Sequence, residues 1–508
     1  MSTSLTEKLR RLSELSLHNR LDGKFNLDIQ QKSRRSPALF SKGSIPMKKS
    51  INIAYIGGGS KMWARKFMQD LALDPDLGGE VRLYDIDAPS AERNKIIGNA
   101  IQAKPEAVSS FKYTVSKTPE EALTGADFVL MSILPGTFSE MRSDVHAPEE
   151  YGIWQSVGDT VGPGGVLRAM RTAPIYEDYA RKIKDCCPDA WVINLTNPMS
   201  NCVKTLYRVF PQIKAFGCCH EVFHTQDFLC CVLKEMKGIE ATRREIYTDA
   251  SGINHFTWIT EARFRDIDLL GLMPEFMDKY FESGYYEHGP ADTWKTNTFA
   301  YGNRVKMDLL RRCGALAAAG DRHLAEFCRG DWYLRDPEVI SAWHFALTTV
   351  DYREENQRKL QAETAAMASG EKMIPSPEQS GEELVRLIRG ILGLEIVISN
   401  VNLPNRGQMP GIPTGSIVET NCIFTNGFVD PIVSKPLPIG ALTLVQENNS
   451  NLDLLDEAIA NRDRNKLLEV FTNQPLCARL SPAEASELFE KMCRNTGEYL
   501  KPYYGFVK

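Results

Sequence analysis

Apolar positions along the chain fall into short runs, each closed by a turn and followed by residues with helical spacing. The stretch "SINIAYIGGGSKMWARKFMQDLAL" displays the unit. Ile51, Ile53, Tyr55 and Ile56 make a run suited to a buried strand, and Gly57 to Ser60 make a turn. Trp63, Phe67 and Leu71 then fall on one face of a helix. "EVRLYDID", "GADFVLMSILPG" (125–136), "DAWVINLTNPMS" (189–200) and "IKAFG" read as further buried strands. Strands alternating with helices predict an α/β fold: a Rossmann-type, doubly wound parallel sheet whose ligand lies at the strands' carboxyl ends.

The pattern changes at both ends of this region. Residues 1–46 are basic, with an amphipathic opening followed by polar residues; Glu7, Glu14, Asp22 and Asp28 count against an organelle-targeting peptide. A loosely ordered arm without catalytic role is expected, with the fold beginning at Met47. From about residue 246, "SGINHFTWITEARF" and the strands after residue 394 mix with helices such as "ELVRLIRGILGL". "GEKMIPSPEQSGEE" (370–383) reads as a surface loop, and the last 60 or so residues as helical, with a cap at "SPAEASELF". The expected organisation is an arm (1–46), a nucleotide-binding domain (47–245) and a mixed α+β domain for substrate, metal and oligomer contacts (246–508).

Composition acts mainly by exclusion. A chain of 508 residues is too long for one simple core, and 43% hydrophobic with 25% charged residues is ordinary for a globular protein. A net charge of −5 offers no footprint for nucleic acid. No apolar run approaches the roughly 18–20 residues that would cross a membrane. The 12 cysteines include the adjacent pairs Cys186–Cys187, Cys218–Cys219 and Cys230–Cys231, which are poor disulfide partners. Reduced thiols and a cytoplasmic location are expected.

Chemistry gathers at the strand ends. Gly57, Gly59 and Ser60 let the backbone approach a pyrophosphate at a helix N-terminus, although Met62 stands where a third glycine is usual. Asp85, ending the next strand, can accept hydrogen bonds from a ribose 2′-hydroxyl and repels a 2′-phosphate, which favours NAD over NADP. Taken singly, these features are a tight turn and a solvated strand end. Asn197 ends another strand, where it can bind a sugar hydroxyl or serve as a turn residue. In "AFGCCHEVFHTQ" (215–226), alternation lets at most one of Cys218 and Cys219 face the ligand. His255 opens a later strand. A thiolate and an imidazole there suit a divalent metal with open positions, a nucleophile pair, or a core cysteine beside a satisfied histidine.

Taken in order, "IGGGSxxW", "DID", "NLTNP", "CHEV" and "GINHFTW" resemble glycoside hydrolase family 4, from about Met47 into the low 400s. The family's glycosidases depend on NAD and a divalent metal and share the lactate/malate dehydrogenase fold. The resemblance implies Cys219 and His255 as ligands of a metal, usually Mn2+. It also implies Asp321, in "ALAAAGDRHLAEF", as catalytic base, with His220 as a candidate proton donor. Arg142, in "EMRSDVHAPEEYGI", is implied as a substrate contact or else an ion pair with Asp144. "GDTVGPGG" (158–165) is similar to the family's mobile active-site loop, its Asp159 standing near substrate. "CHEV" is similar to the subgroup acting on α-galacturonides. The implied reaction is oxidation at C3, metal-assisted loss of the C2 proton, elimination at C1, water addition and re-reduction. The implied partner is a small glycoside, and the implied assembly a homo-oligomer, dimer or tetramer. The competing readings are an α-glycosidase for neutral unphosphorylated hexosides and a true NAD-dependent dehydrogenase.

Overall fold

The computed structural model describes residues 48–505 except 288 and 292. The expected arm lies outside the described residues. The described residues cluster as one compact unit. At its centre six strands run parallel: β1 (Lys49–Ile56), β2 (Leu77–Tyr84), β3 (Ser110–Val115), β4 (Phe128–Met131), β5 (Trp191–Asn194) and β6 (Lys214–Gly217). Their order is 3-2-1-4-5-6, with β1 paired in parallel to both β2 and β4. This is the doubly wound arrangement that the alternating pattern predicts.

The apolar runs are continuous because both faces of this sheet are covered. Ile51, Ile53 and Tyr55 point into one core with Phe67, Leu71 and Leu387, while Ala54 and Ile56 point into another with Tyr176, Ile183 and Leu206. Phe128 and Leu130 of β4 join the first core, Val129 and Met131 the second. A one-residue register slip would exchange the two sets.

The sheet does not stop where the second domain was expected to begin. After β7 (Tyr247–Ile253), β8 (Phe256–Phe264), β9 (Ile267–Asp268) and β10 (Leu316–Ala317) come β11 (Val397–Pro404), β12 (Ile417–Thr425) and β13 (Phe428–Pro431). β11 lies antiparallel to β6 through Asn402 and Gly217, and β12 pairs with β7. Residues on either side of 245 therefore share one sheet. Gly217 permits the junction, since a Cβ there would lie 2.6 Å from Met199 Sδ and 3.1 Å from Asn402 Cβ.

None of the 12 cysteines forms a disulfide. Among the described residues, no helix is long and apolar enough to cross a membrane.

Candidate active site

A cavity of about 830 Å³ opens at the carboxyl ends of the parallel strands. Gly57 and Gly59 follow β1, Tyr84 and Asp85 end β2, and Ser132 to Thr137 follow β4. Leu195 to Asn197 follow β5, and Cys218 to His220 follow β6. The crevice between β1 and β4 is where the strand order reverses, the usual ligand position in such sheets. The glycines are sterically required. Gly57 has φ +88°, and a Cβ on it would come within 1.9 Å of the Ser132 carbonyl oxygen. Gly59 lies against Asp85, whose Oδ2 accepts the Gly59 N–H at 2.8 Å. Asp87 is spent locally as the cap of the helix Ala88–Gln102.

At the far end of the cavity sits a polar cluster. His255 occupies the β7–β8 turn with φ +64°, in the left-handed region where a non-glycine residue is uncommon. Its ring lies 4.0 Å, centroid to centroid, from that of His323. Thr160 Oγ1 is 2.7 Å from Asp159 Oδ1 and 3.1 Å from His255 Nδ1. Asn197 Nδ2 lies 3.4 Å from Asp159 Oδ2. Donor atoms of Asp159, His255 and His323 all lie within 4.8 Å of one another, as do those of His220, Glu221 and His224. Glu221 stands between the groups: Oε1 is 3.7 Å from His220 Nε2 and 3.6 Å from His323 Nε2, and Oε2 accepts the Gly320 N–H at 2.7 Å.

Burial and charge set the protonation of these groups. Burial lowers the pKa of His255, and lowers that of His323 to about 3 with the help of neighbouring His255, so both imidazoles are neutral. Burial works against ionisation of Asp159, but Arg168 and Arg353, joined by His255 and His323 when these are protonated, hold its pKa well below the usual carboxylate range. Burial, with Glu419 and Glu221 beside it, raises the Cys219 thiol well above its ordinary value.

The expected residues are distributed unevenly. Gly57, Gly59, Ser60, Asp85, Asn197, Cys219, His220 and His255 all line the cavity. Asp159 borders it through Asn197. Cys219 belongs to neither donor group. Two expectations meet a different arrangement. Asp321, expected as base, does not line the cavity; it is fully buried, its two oxygens accepting the N–H groups of Val305 (3.3 Å) and Lys306 (3.1 Å). These amides open the helix Arg304–Cys313, and the unpaired donors of a helix's first turn attract a carboxylate. Burial still pushes the Asp321 pKa up to about 6, against the charge of Lys306. Arg142 lies outside the cavity, paired with Asp351 at 2.8 Å and Glu354 at 3.4 Å; the partner of Asp144 is Arg171.

The expected mobile loop is likewise tied down. Glu326 Oε1 accepts the N–H groups of Val157 and Gly158, both at 2.8 Å, and Gln155 and Gln474 take those of Gly164 and Gly162. Gly162 to Gly165 are already the first turn of the helix Gly162–Cys186. A Cβ on Gly164 would lie 2.8 Å from the Asp144 carbonyl oxygen, and one on Gly165 2.5 Å from the Thr160 carbonyl carbon. These two glycines allow close packing of the helix start.

Four residues of the site have no assigned role in the sequence reading: Thr160, Arg168, Glu221 and His323. Glu221 was legible as the third residue of "CHEV". Arg168 lies within a long helix with no local signal; its Nε donates to the Asn197 carbonyl at 3.2 Å, and it lines the cavity.

Comparison with known proteins gives matches along most of the chain. The model of the family 4 glycosyl hydrolases matches residues 52–235, and that of the family 4 glycosyl hydrolase C-terminal domain residues 250–477. The α-galacturonidase of Thermoanaerobacterium saccharolyticum is 50% identical over 451 residues, 89% of this chain and 96% of that one. The crystal structure of the Bacillus subtilis protein lplD superposes with a TM-score of 0.82 at 44% identity, covering 87% of this chain and 99% of that one. A 6-phospho-α-glucosidase from gut microorganisms, solved with NAD and Mn2+, shares the fold at 20% identity with a TM-score of 0.73, covering 89% and 99%.

Proposed function

The chain belongs to family 4 of the glycosyl hydrolases, and from that premise we propose that it cleaves α-glycosides of galacturonic acid, using NAD and a divalent metal, Mn2+. The observation that carries the reading is the 50% identity to an α-galacturonidase, sustained over 89% of this chain.

The cavity fits both cofactors. The glycine turn after β1 lines the cavity where the strand order reverses, the usual place of a dinucleotide in such sheets. Beyond it, neutral imidazoles and an ionised carboxylate make a donor set suited to a divalent cation. NAD and Mn2+ are also the pair held by the 6-phospho-α-glucosidase. When bound, NAD supplies a hydride acceptor and donor, and the ion a Lewis acid at the sugar.

This chain's residues do the rest. Gly57, Gly59 and Ser60 seat the pyrophosphate, and Asp85 accepts from the ribose. Asn197 orients a sugar hydroxyl through its side-chain amide, whose buried Oδ1 has no protein partner. His255 and Cys219, both on the cavity wall, would hold the ion, with Asp159 beside His255. Arg168 gives the substrate's carboxylate a cation on the cavity wall. His220, half-exposed on that wall, is the imidazole that handles protons. It takes the C2 proton and passes it to the departing glycosidic oxygen, ending as it began. Asp321 acts as a positioning residue, holding the helix Arg304–Cys313 against the segment that bears His323. The C3 hydride would pass to bound NAD before the C2 proton leaves and come back after water has taken the leaving group's place at C1, so the net reaction is hydrolysis.

The test is to incubate the protein in D2O with Mn2+, catalytic NAD+ and an α-linked digalacturonide, and to follow the sugar by NMR. Free galacturonic acid deuterated at C2, without accumulating NADH, is the expected result. Stoichiometric NADH with the glycosidic bond intact would make the protein a dehydrogenase. Cleavage confined to a neutral α-glycoside would remove the choice of sugar.

A further inference from the structure

Three arginines gather around Asp159, and their guanidiniums bond only to neutral groups. Arg168 is 7% exposed, Arg322 6%, and Arg353 is half-buried. Arg168 Nε donates to the Asn197 carbonyl at 3.2 Å. Arg353 donates from Nη2 to the Val157 carbonyl at 2.6 Å, from Nε to the Thr348 carbonyl at 3.2 Å and from Nη1 towards Met141 Sδ. Arg322 Nη1 donates to the Thr348 hydroxyl, and Arg322 Nε is buried without a hydrogen-bond partner. Thr348 thus joins Arg322 to Arg353, and the charges of Arg168 and Arg322 both act on Arg353. Among the described residues, none of the three forms an ion pair, whereas other arginines of low exposure are matched: Arg171 by Asp144, Arg243 by Glu383 and Arg389 by Asp74. A buried cation without an anion is costly, so the group has an unmet need.

The ionised carboxylates that face the group are Asp159, whose charge reaches all three arginines, and Glu221 on the side of Arg322. Glu326 lies among them, but burial lifts its carboxyl to about 7. Guanidiniums stay charged, so three positive charges face two fixed negative ones. The excess sits where Arg168 forms the cavity wall and Asn197 joins Asp159 to it. We propose that Arg322 and Arg353 determine specificity: behind Arg168, which meets the ligand, they keep this end of the cavity positive and so select a sugar that carries a carboxylate over its neutral counterpart. The inference rests on the reading that the substrate is a uronate. Neither Arg322 nor Arg353 lines the cavity. Both act through charge, because attraction falls only with the inverse of distance and is weakly screened where water is excluded.

The experiment measures binding, not turnover. The full chain with NAD+ and Mn2+ is titrated calorimetrically with galacturonic acid and with its C6 methyl ester, which keeps the hydroxyls and lacks the charge. The unaltered protein should prefer the acid. Arg322→Gln and Arg353→Gln should each lower that preference by about tenfold or more, with ester affinity changed by less than about threefold. Arg322→Lys and Arg353→Lys, which keep the charge and lose the planar fork, should restore it; an arginine that only braces the fold would weaken both ligands alike and would not be replaced by lysine. Thr348→Asp keeps both arginines and gives them a carboxylate, so it should lower the preference to a similar degree even where a glutamine variant fails to fold. A preference unchanged in these variants while Arg168→Gln loses it would overturn the inference and leave the uronate reading standing. No preference for the acid in the unaltered protein would remove that reading and the inference with it.

Discussion

Arg142 keeps its guanidinium at the surface, its side chain 43% exposed beside an Asp351 that is 81% exposed. An exposed pair of this kind contributes at most about 1 kcal/mol. Arg142→Ala should therefore leave kcat/KM on an α-galacturonide within about threefold, as steady-state kinetics would reveal; a hundredfold loss would return the arginine to the substrate. Asp144, two residues on, behaves oppositely because it is buried. Position along the helix is nearly the same, and surroundings alone separate an ornamental ion pair from an indispensable one.

That buried pair joins two helices, Phe138–His146 and Gly162–Cys186. Arg171 Nη1 donates to Asp144 Oδ1 at 2.9 Å and Nη2 to Oδ2, with both side chains at most 2% exposed. Burial pushes the Asp144 carboxyl up even with Arg171 beside it. Removing the arginine leaves a buried charge uncompensated, and the cost of breaking such a pair is about 3–5 kcal/mol. Arg171→Ala should lower stability by that order in urea unfolding. A loss below about 1 kcal/mol would mean that the helices are held by their apolar contacts alone.

Across the whole molecule, stability should vary with pH through carboxyls that the fold encloses. Burial lifts Glu326 to about 7 from an ordinary 4.5, and Glu419 to about 7. The folded state therefore holds protons that the unfolded chain has released between about pH 4.5 and 7. The contribution is fully present below the unfolded value and is lost as pH rises through the folded one. For Glu326 the shift corresponds to on the order of 3 kcal/mol, at 1.36 kcal/mol per pKa unit. In Glu326→Gln the side-chain carbonyl can still accept from Val157 and Gly158, while the ionisation is gone. The variant should gain stability over the unaltered protein between pH 5 and pH 8, up to that amount, in urea titrations without metal. An equal difference at both pH values would place the Glu326 titration elsewhere.

The amino-acid sequence by itself determined the parts of this protein that are contiguous. A strand, a glycine turn and a helix between residues 49 and 72 need no distant partner to be legible, because side-chain period and the steric demand at Gly57 are local. Asp85 and Asn197 follow for the same reason, each being the residue at which a buried run ends. Tertiary structure alone decided which polar residues meet. Thr160 and His255 are 95 residues apart, and His323 reaches them from a third segment. The resemblance implies Asp321 as a base, and only the fold places its carboxylate at the open first turn of a neighbouring helix. The glycines of 158–165 read as a hinge because composition cannot distinguish freedom from crowding; in the fold Gly164 and Gly165 are positions where two stretches of backbone come close. Periodicity records how a segment buries itself, whereas the pairing of charges and lone pairs depends on distances that exist only after the chain has folded.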